Sequence, residues 1–446
     1  VFESVLVANR GEIAGRILRT ARAMGLKAIA VYSDADADLP FVAEADEAVL
    51  IGPADPGRSY LNVPAILEAA HRTNAGAIHP GDGVLAENAS LARQAAERDL
   101  VWVGPPPLAI ARMNDKINSR NLMKAAGVPV GHGVWEPVPD AGTAAEEAGR
   151  IGYPVMVKPA AGDGGVGLAI AHDEPSLRTA YETARAAADR VFGHGEVLLE
   201  RYVPGALHIE VQILGLADGT VVAFGERDCS VQRRYQKIVE ETPSPNLDPA
   251  LRDRMLAAAV RAGETVGYRG IGSVEFLVDP AAREFAFLEM CTRLPSGHVA
   301  TEMTTGIDLV EQQFRVAAGE PVSFADPAPR GHAIVFRVHA EDPREFLPGS
   351  GEIKVWEEPV GDGIRIDAGY AEGSTVTPTY HPLLAKLGVR GDDRAHALAR
   401  ARAAVDAFCI EGPPTNLPFL RELMDRPEFA TGAYDTGLVG RMRPAR

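Results

Sequence analysis

The chain has 446 residues, with 45 Lys and Arg against 61 Asp and Glu, for a formal net charge of −16. That surplus repels a polyphosphate backbone and excludes nucleic-acid binding by charge neutralisation. Its 46% apolar and 24% charged residues exclude a largely disordered chain.

At about 100–200 residues per domain, the length predicts roughly two to four domains. No apolar run reaches the roughly 18–20 residues of a membrane span. The opening Val1-Phe2-Glu3-Ser4 carries an acid and leads into a strand pattern, unlike a signal peptide. Three cysteines (Cys229, Cys291, Cys409) make no disulfide framework and lack zinc spacing. The expectation is a soluble, cytoplasmic, multidomain enzyme with no nucleic-acid or membrane partner.

Residues 1–103 alternate short apolar strands with helical periodicity. Strands are predicted at 5–8, 27–32, 48–51, 77–78 and 101–103, with helices over 13–24, 63–71 and 87–98. This is the βαβ pattern of a parallel sheet. Ligands of such sheets bind at the carboxyl ends of the strands, where His79-Pro80-Gly81-Asp82-Gly83 falls.

Pro105-Pro106-Pro107 marks a boundary, followed by a helix predicted over 108–126. A strand then ends in Lys158 and runs into the glycine turn 160–167, with another strand at 168–170. Strand, glycine turn, strand describes a flap over a nucleotide; the Walker pattern is absent. Its glycines predict that 162–167 is mobile without nucleotide. The region 198–290 reads as strand-rich, a strand spans 333–339, and a helix is predicted over 394–408. The Ala/Arg-rich stretch 395–404 reads as a solvated helix face.

Glu275 and Glu289 form the most telling pair. They lie on two strands joined by the turn Asp279-Pro280-Ala281-Ala282-Arg283. A hairpin there sets them opposite each other, about 4.5–5.5 Å apart at Cβ. Either they share a cation, for which Mg²⁺ fits, or they are two glutamates on an exposed edge. Lys116, Lys158 and Lys237 read individually as surface lysines, although Lys158 adjoins the glycine flap, where backbone amides can reach phosphate. Arg337 alternates with apolar neighbours and needs an anionic partner, either a structural acid or a substrate. His79, His208, His298 and His381 show no metal-ligand spacing.

Five runs, taken in order, carry a resemblance to the biotin carboxylase family of ATP-grasp enzymes over essentially the whole chain. They are Val5-Leu6-Val7-Ala8-Asn9-Arg10-Gly11-Glu12-Ile13-Ala14, then Glu226-Arg227-Asp228-Cys229-Ser230-Val231-Gln232-Arg233-Arg234, then Glu289-Met290 through Thr292-Arg293. Ala340-Glu341-Asp342-Pro343 and Leu383-Leu384-Ala385-Lys386-Leu387 complete the set. The resemblance implies an α/β chain with a Rossmann-like N-terminal domain (1–113). An ATP-grasp domain (114–330, lid about 131–203) and an α+β C-terminal biotin-carboxylase-like region (331–446) would follow.

It carries over Lys116, Lys158, Glu200, Val203, His208, Leu277, Glu275 and Glu289 as contacts to ATP and Mg²⁺, with the flap glycines Gly164 and Gly165 beside the phosphates. Lys237 would face the γ-phosphate, Arg293 would hold bicarbonate or another carboxylate, and Arg337 would stabilise charge on the acceptor. In the family, bicarbonate is phosphorylated and CO₂ passes to N1 of biotin.

The departures cluster. Where the family shows Gln-Val-Glu-His, this chain has Pro295-Ser296-Gly297-His298, and the missing glutamate is the family's general base. Cys291 replaces an asparagine and is a poor Mg²⁺ ligand. Asp82 and Val84 replace a tyrosine and a phenylalanine, Tyr235 a histidine and His381 an aspartate. In the flap, Asp163 and Val166 replace a glycine and a basic residue.

ATP and metal positions are thus mostly kept, whereas bicarbonate and biotin positions are mostly changed. These departures predict an ATP-grasp ligase that activates a carboxyl group for an acceptor other than biotin, with Asp82 as a new catalytic carboxylate facing an amine. Biotin is then doubtful as a cofactor, the acceptor is unknown and a homodimer is possible. The alternatives are biotin carboxylase proper, serving a biotin carrier protein, and a catalytically weak homologue with a regulatory or assembly role. The chain ends at Arg446 with no biotinylated-lysine segment in view.

Overall fold

The computed structural model describes residues 2–134, 136–160, 167–192, 195–322, 324 and 326–444. The N-terminal strands pair in parallel in the order Glu47–Gly52, Lys27–Ser33, Ser4–Val7, Ala77–His79 and Val101–Trp102. Ser4–Val7 lies between its neighbours at the point where strand order reverses, which opens a crevice at its carboxyl end. Asn9 closes part of that crevice: its Nδ2 donates to the carbonyls of Pro80 at 2.8 Å and Asp82 at 2.7 Å. The helix Gly11–Ala23 buries Ile13, Ile17, Leu18 and Ala21 against the sheet, as its periodicity predicts.

The helix expected over 108–126 is two helices, Pro107–Asn114 and Lys116–Ala125. Asp115 causes the break. Its carboxylate accepts from the amides of Ile117 and Asn118 and so caps a new helix. The expected helix over 87–98 is shorter, Ala89–Ala96, because Asn88 caps it at Leu91 N.

A three-stranded antiparallel sheet follows: Ala169–Ala171, Val155–Pro159 and Val197–Arg201. The helices Ala141–Ile151 and Glu174–Phe192 cover it, packing Ala144, Ala148, Leu177 and Tyr181 on Val155 and Val157. Residues 161–166, which include Asp163, Gly164, Gly165 and Val166 and almost all of the flap expected to be mobile, lie outside the described residues.

The largest layer is an eight-stranded antiparallel sheet. Its order is Glu284–Cys291, Gly270–Asp279, Leu207–Gly215, Val221–Asp228, Val239–Thr242, His332–His339, Leu383–Gly391 and Ile364–Ala368. Val239–Thr242 pairs with His332–His339 from Val239↔Phe336 to Thr242↔Ala333, so one sheet carries Glu275, Glu289 and Arg337 together. The helix Pro249–Val266, which the strand-rich reading of 198–290 passes over, buries Leu251, Met255 and Ala259 against this sheet. In Arg394–Ala407, Ala397, Ala401 and Ala404 are buried, so the stretch read as a solvated face has one packed side. Among the described residues no helix is long and apolar enough to cross a membrane.

Candidate active site

A cleft of about 1690 Å³ lies between the three-stranded sheet and the large one. Among the described residues, every candidate carried over from the family resemblance lines it, and Asp82, which departs from the family, does not. The cleft wall is set by strand register. Glu275 pairs with Glu289 on one side and with Glu210 on the other, so three glutamates stand in a row across adjacent strands. Like charges placed this way repel unless a cation intervenes. Lys237 supplies one: its Nζ lies 2.9 Å from Glu210 Oε2 and 2.7 Å from Glu275 Oε1.

Further partners fix the row. His208 Nε2 lies 2.5 Å from Glu275 Oε2. The fully buried Arg227 pairs with Glu210 at 3.0 Å, and Ser273 Oγ donates to the same carboxylate. Burial alone would raise the carboxyl of Glu275; Lys237 and His208 outweigh it and hold it well below the usual range. Glu210 is held low in the same way, against burial, by Arg227 and Lys237. Burial opposes the charge on Lys237, yet the two glutamates raise its pKa and keep the ammonium charged.

The donor set suits a hard divalent ion in part. Glu275 and Glu289 offer carboxylate oxygens of the kind Mg²⁺ takes. Cys291 Sγ lies 3.3 Å from Glu275 Oε1, and Glu210, Glu275 and Cys291 offer ligand atoms all within 4.8 Å of one another. Burial and the charge of Glu275 push the Cys291 thiol well above its ordinary range, so it stays protonated and a weak ligand.

The opposite lip belongs to the smaller sheet. Lys158 Nζ is 2.6 Å from Glu200 Oε2, and Arg120 pairs with the other oxygen of Glu200. Lys116, the first residue of the helix Lys116–Ala125, faces the same opening. Lys158, on the strand that runs into the glycine turn, and Lys116 suit the phosphates of a nucleotide, and Glu200 holds Lys158 in place. Val203 and Leu277 add apolar surface to the cleft.

The side that carries the two arginines is equally defined. Arg293 Nε lies 3.0 Å from Glu87 Oε1. Arg337 Nη2 lies 2.8 Å from Glu240 Oε1, which answers the question of its partner with an acid on the neighbouring strand. Pro295 and Ser296 line the cleft beside them.

Asp82 is the correction. It does not line the cleft, and its backbone is held by Asn9 at the end of the parallel sheet. The strand-end position of His79-Pro80-Gly81-Asp82-Gly83 is right, and Asn9 binds the carbonyls of Pro80 and Asp82 there. Nor are the four histidines alike: His79 is buried on Gln313 at 3.1 Å, whereas His208 reaches Glu275.

Sequence reasoning misses Glu210, Arg227 and Glu240. The hairpin 270–291 can be read from a local turn. The pairing of Leu207–Gly215 with Gly270–Asp279 joins strands far apart in the chain and leaves no local signal.

Three family models cover the chain: the biotin carboxylase N-terminal domain over 1–110, the ATP-binding domain of carbamoyl-phosphate synthase L chain over 115–324, and the biotin carboxylase C-terminal domain over 335–441. "Biotin carboxylase 2" of Bacillus subtilis is 45% identical over 441 residues, 98% of this chain and 99% of that protein. The crystal structure of a biotin carboxylase–β-γ-ATP complex from Campylobacter jejuni matches with a TM-score of 0.96 and 40% identity, over 99% of each chain. The biotin carboxylase domain dimer of 2-oxoglutarate carboxylase from Hydrogenobacter thermophilus, solved with MgADP, ADP and bicarbonate, matches with a TM-score of 0.95 and 40% identity. It covers 99% of this chain and 97% of that one. On full-length identity, shared fold and an ATP-grasp cleft with its lysines and glutamates in place, the chain belongs to the biotin carboxylase family of ATP-dependent, ADP-forming ligases.

Proposed function

We propose that this protein is a biotin carboxylase proper, which uses Mg²⁺-ATP to activate bicarbonate and passes the carboxyl group to biotin on a carrier protein. The observation that carries this reading is that Lys237, Arg293 and Arg337 line one cleft with Glu275 and Glu289. Phosphate-side cations and anion-holding arginines therefore face a common space. Lys116 and Lys158 meet the triphosphate, with Glu200, Val203, His208 and Leu277 around the nucleotide, and Glu275 and Glu289 hold the metal. Arg293 receives bicarbonate, and Arg337 stabilises negative charge on the acceptor.

The reading of an acceptor other than biotin draws on Asp82, Tyr235 and His381 and on the changes at 295–297. Asp82 is not among the residues that line the cleft, and full-length relatives bear the name biotin carboxylase. The working partners are then bicarbonate and a biotin-bearing carrier, with the protein in the cytoplasm and paired as a homodimer. The division 1–113, 114–330 and 331–446 is kept, with one sheet running through the last two parts.

The test is fixation of labelled bicarbonate onto free biotin, run alongside ADP release. ADP release that requires both bicarbonate and biotin is expected. ADP release indifferent to bicarbonate would overturn the proposal.

A further inference from the structure

Residue 297 is glycine for reasons of space. Its φ of −80° is open to any amino acid, so the backbone does not require glycine there. A Cβ at this position would stand 2.6 Å from Glu240 Oε1, 2.8 Å from Glu240 Cδ and 2.9 Å from Arg227 Nε. The volume that a side chain at 297 would enter is already filled by the carboxylate of Glu240.

Glu240 reaches this place from a different element, the strand Val239–Thr242, and it lines the cleft. Arg337 grips it with Nη2 at 2.8 Å and Nε at 3.4 Å. A guanidinium carries five N–H donors in a planar fork, so Arg337 can hold Glu240 along one edge and an anion along another. Arg227 Nε, fully buried and without a hydrogen-bond partner, faces the same point from beneath. The other groups facing Glu240 are the Cys229 thiol at 4.0 Å and, with ligand atoms inside the same 4.8 Å group, the carboxylate of Glu210.

We propose that Glu240 is the proton acceptor for bicarbonate in this protein, and that Gly297 exists to admit it. This rests on the reading of the chain as a bicarbonate-activating carboxylase. The hydroxyl proton of bicarbonate moves to a carboxylate oxygen of Glu240. The oxygen so freed uses its electron pair to bond the γ-phosphorus of ATP. The bond from that phosphorus to the β–γ bridging oxygen breaks, and its electrons leave with ADP. The products are carboxyphosphate and ADP, and the proton passes from Glu240 to solvent before the next turnover. The carboxylate so assigned stands on the strand Val239–Thr242 beside the loop before the helix His298–Thr305, with Arg337 as its clamp.

The experiment compares wild type, Glu240→Gln and Gly297→Ala for bicarbonate-dependent ADP release across pH, with ATP affinity measured separately by a fluorescent nucleotide analogue. Glu240→Gln is expected to lose turnover by roughly 10²–10⁴-fold and to lose the acid limb of its pH profile, with ATP affinity unchanged within about twofold. Gly297→Ala should lose turnover in the same direction, because its Cβ displaces the carboxylate.

Wild type that releases ADP without needing bicarbonate would overturn the functional reading and this assignment together. Bicarbonate-dependent wild type beside a Glu240→Gln variant within about threefold of it would overturn the assignment alone. A fully active Gly297→Ala variant would overturn the role given to the glycine. Should Glu240→Gln fail to bind nucleotide, Glu240→Asp decides. That variant keeps the charge but withdraws it by one methylene, so reduced turnover with the acid limb retained is expected, and undiminished turnover overturns the proposal.

Discussion

Glu275 stands in register with Glu289 across the hairpin, yet its own carboxylate is turned to Lys237 at 2.7 Å and His208 at 2.5 Å. Its charge is therefore balanced within the protein, and the Glu289 carboxylate, which acts on Arg120, lines the same cleft. Glu289→Gln is expected to raise the Mg²⁺ concentration needed for half-maximal ADP release by about tenfold, because one hard oxygen ligand becomes neutral. Glu275→Gln should do this and also weaken the anchor of Lys237. A Mg²⁺ titration of ADP release checks both, and unchanged metal dependence in Glu289→Gln would remove the assignment.

Lys158 and Glu200 form the corresponding device on the smaller sheet, paired at 2.6 Å on adjacent strands in the register Lys158↔Leu198 and Met156↔Glu200. The ammonium is the part that meets phosphate, and Glu200 aims it. Lys158→Met should weaken ATP binding by about 10–100-fold while leaving AMP binding within about threefold, since AMP lacks the outer phosphates. Fluorescence titration with both nucleotides measures the difference. Equal weakening of the two would place Lys158 elsewhere.

How much of this was legible in the sequence follows from distance along the chain. The parallel sheet, the hairpin holding Glu275 and Glu289, and the lysine ending the strand Val155–Pro159 are local patterns, and the structure shows them. Glu210 enters the row only through a long-range register, and Glu240 is recognised only once Gly297 is seen to have no room. A strand end predicts where a crevice opens but not which side chains line it, and Asp82 is not among those lining the cleft. Asp115 went unused although an aspartate followed by helical periodicity is a capping signal.

Glu241, next to Glu240 on its strand, points to the other face and is completely buried. It meets His332 at 2.5 Å, Arg394 at 2.9 and 3.0 Å and Tyr434 at 2.5 Å. Burial acts to raise its carboxyl, but His332 and Arg394 outweigh that and hold it below its ordinary 4.5. The stability this provides is complete above about pH 4.5 and is lost as pH falls below that toward the lowered folded value. Glu241→Gln should cost about 3–5 kcal/mol at pH 7. Urea denaturation at neutral and acid pH should show the gap between variant and wild type narrowing below about pH 4.5. A gap that widens on acidification would contradict the sign.

Cys291 gives the last prediction, because it puts a soft atom beside a site built for a hard ion. Its Sγ lies 3.3 Å from Glu275 Oε1, and the thiol is held protonated by burial and by that same carboxylate. A neutral thiol donates to Glu275 and offers Mg²⁺ almost nothing, whereas an amide oxygen would coordinate it. Cys291→Asn is therefore expected to lower the Mg²⁺ requirement for ADP release by about threefold to tenfold and to leave the pH profile in place. A thiophilic ion behaves oppositely: Cd²⁺ should bind wild type with an ultraviolet sulfur-to-metal absorption that Cys291→Asn lacks. The two titrations read the same atom through different metals. If Cys291→Asn leaves Mg²⁺ dependence unchanged and wild type shows no such absorption, the thiol lies outside the coordination sphere and serves only as packing beneath Glu275.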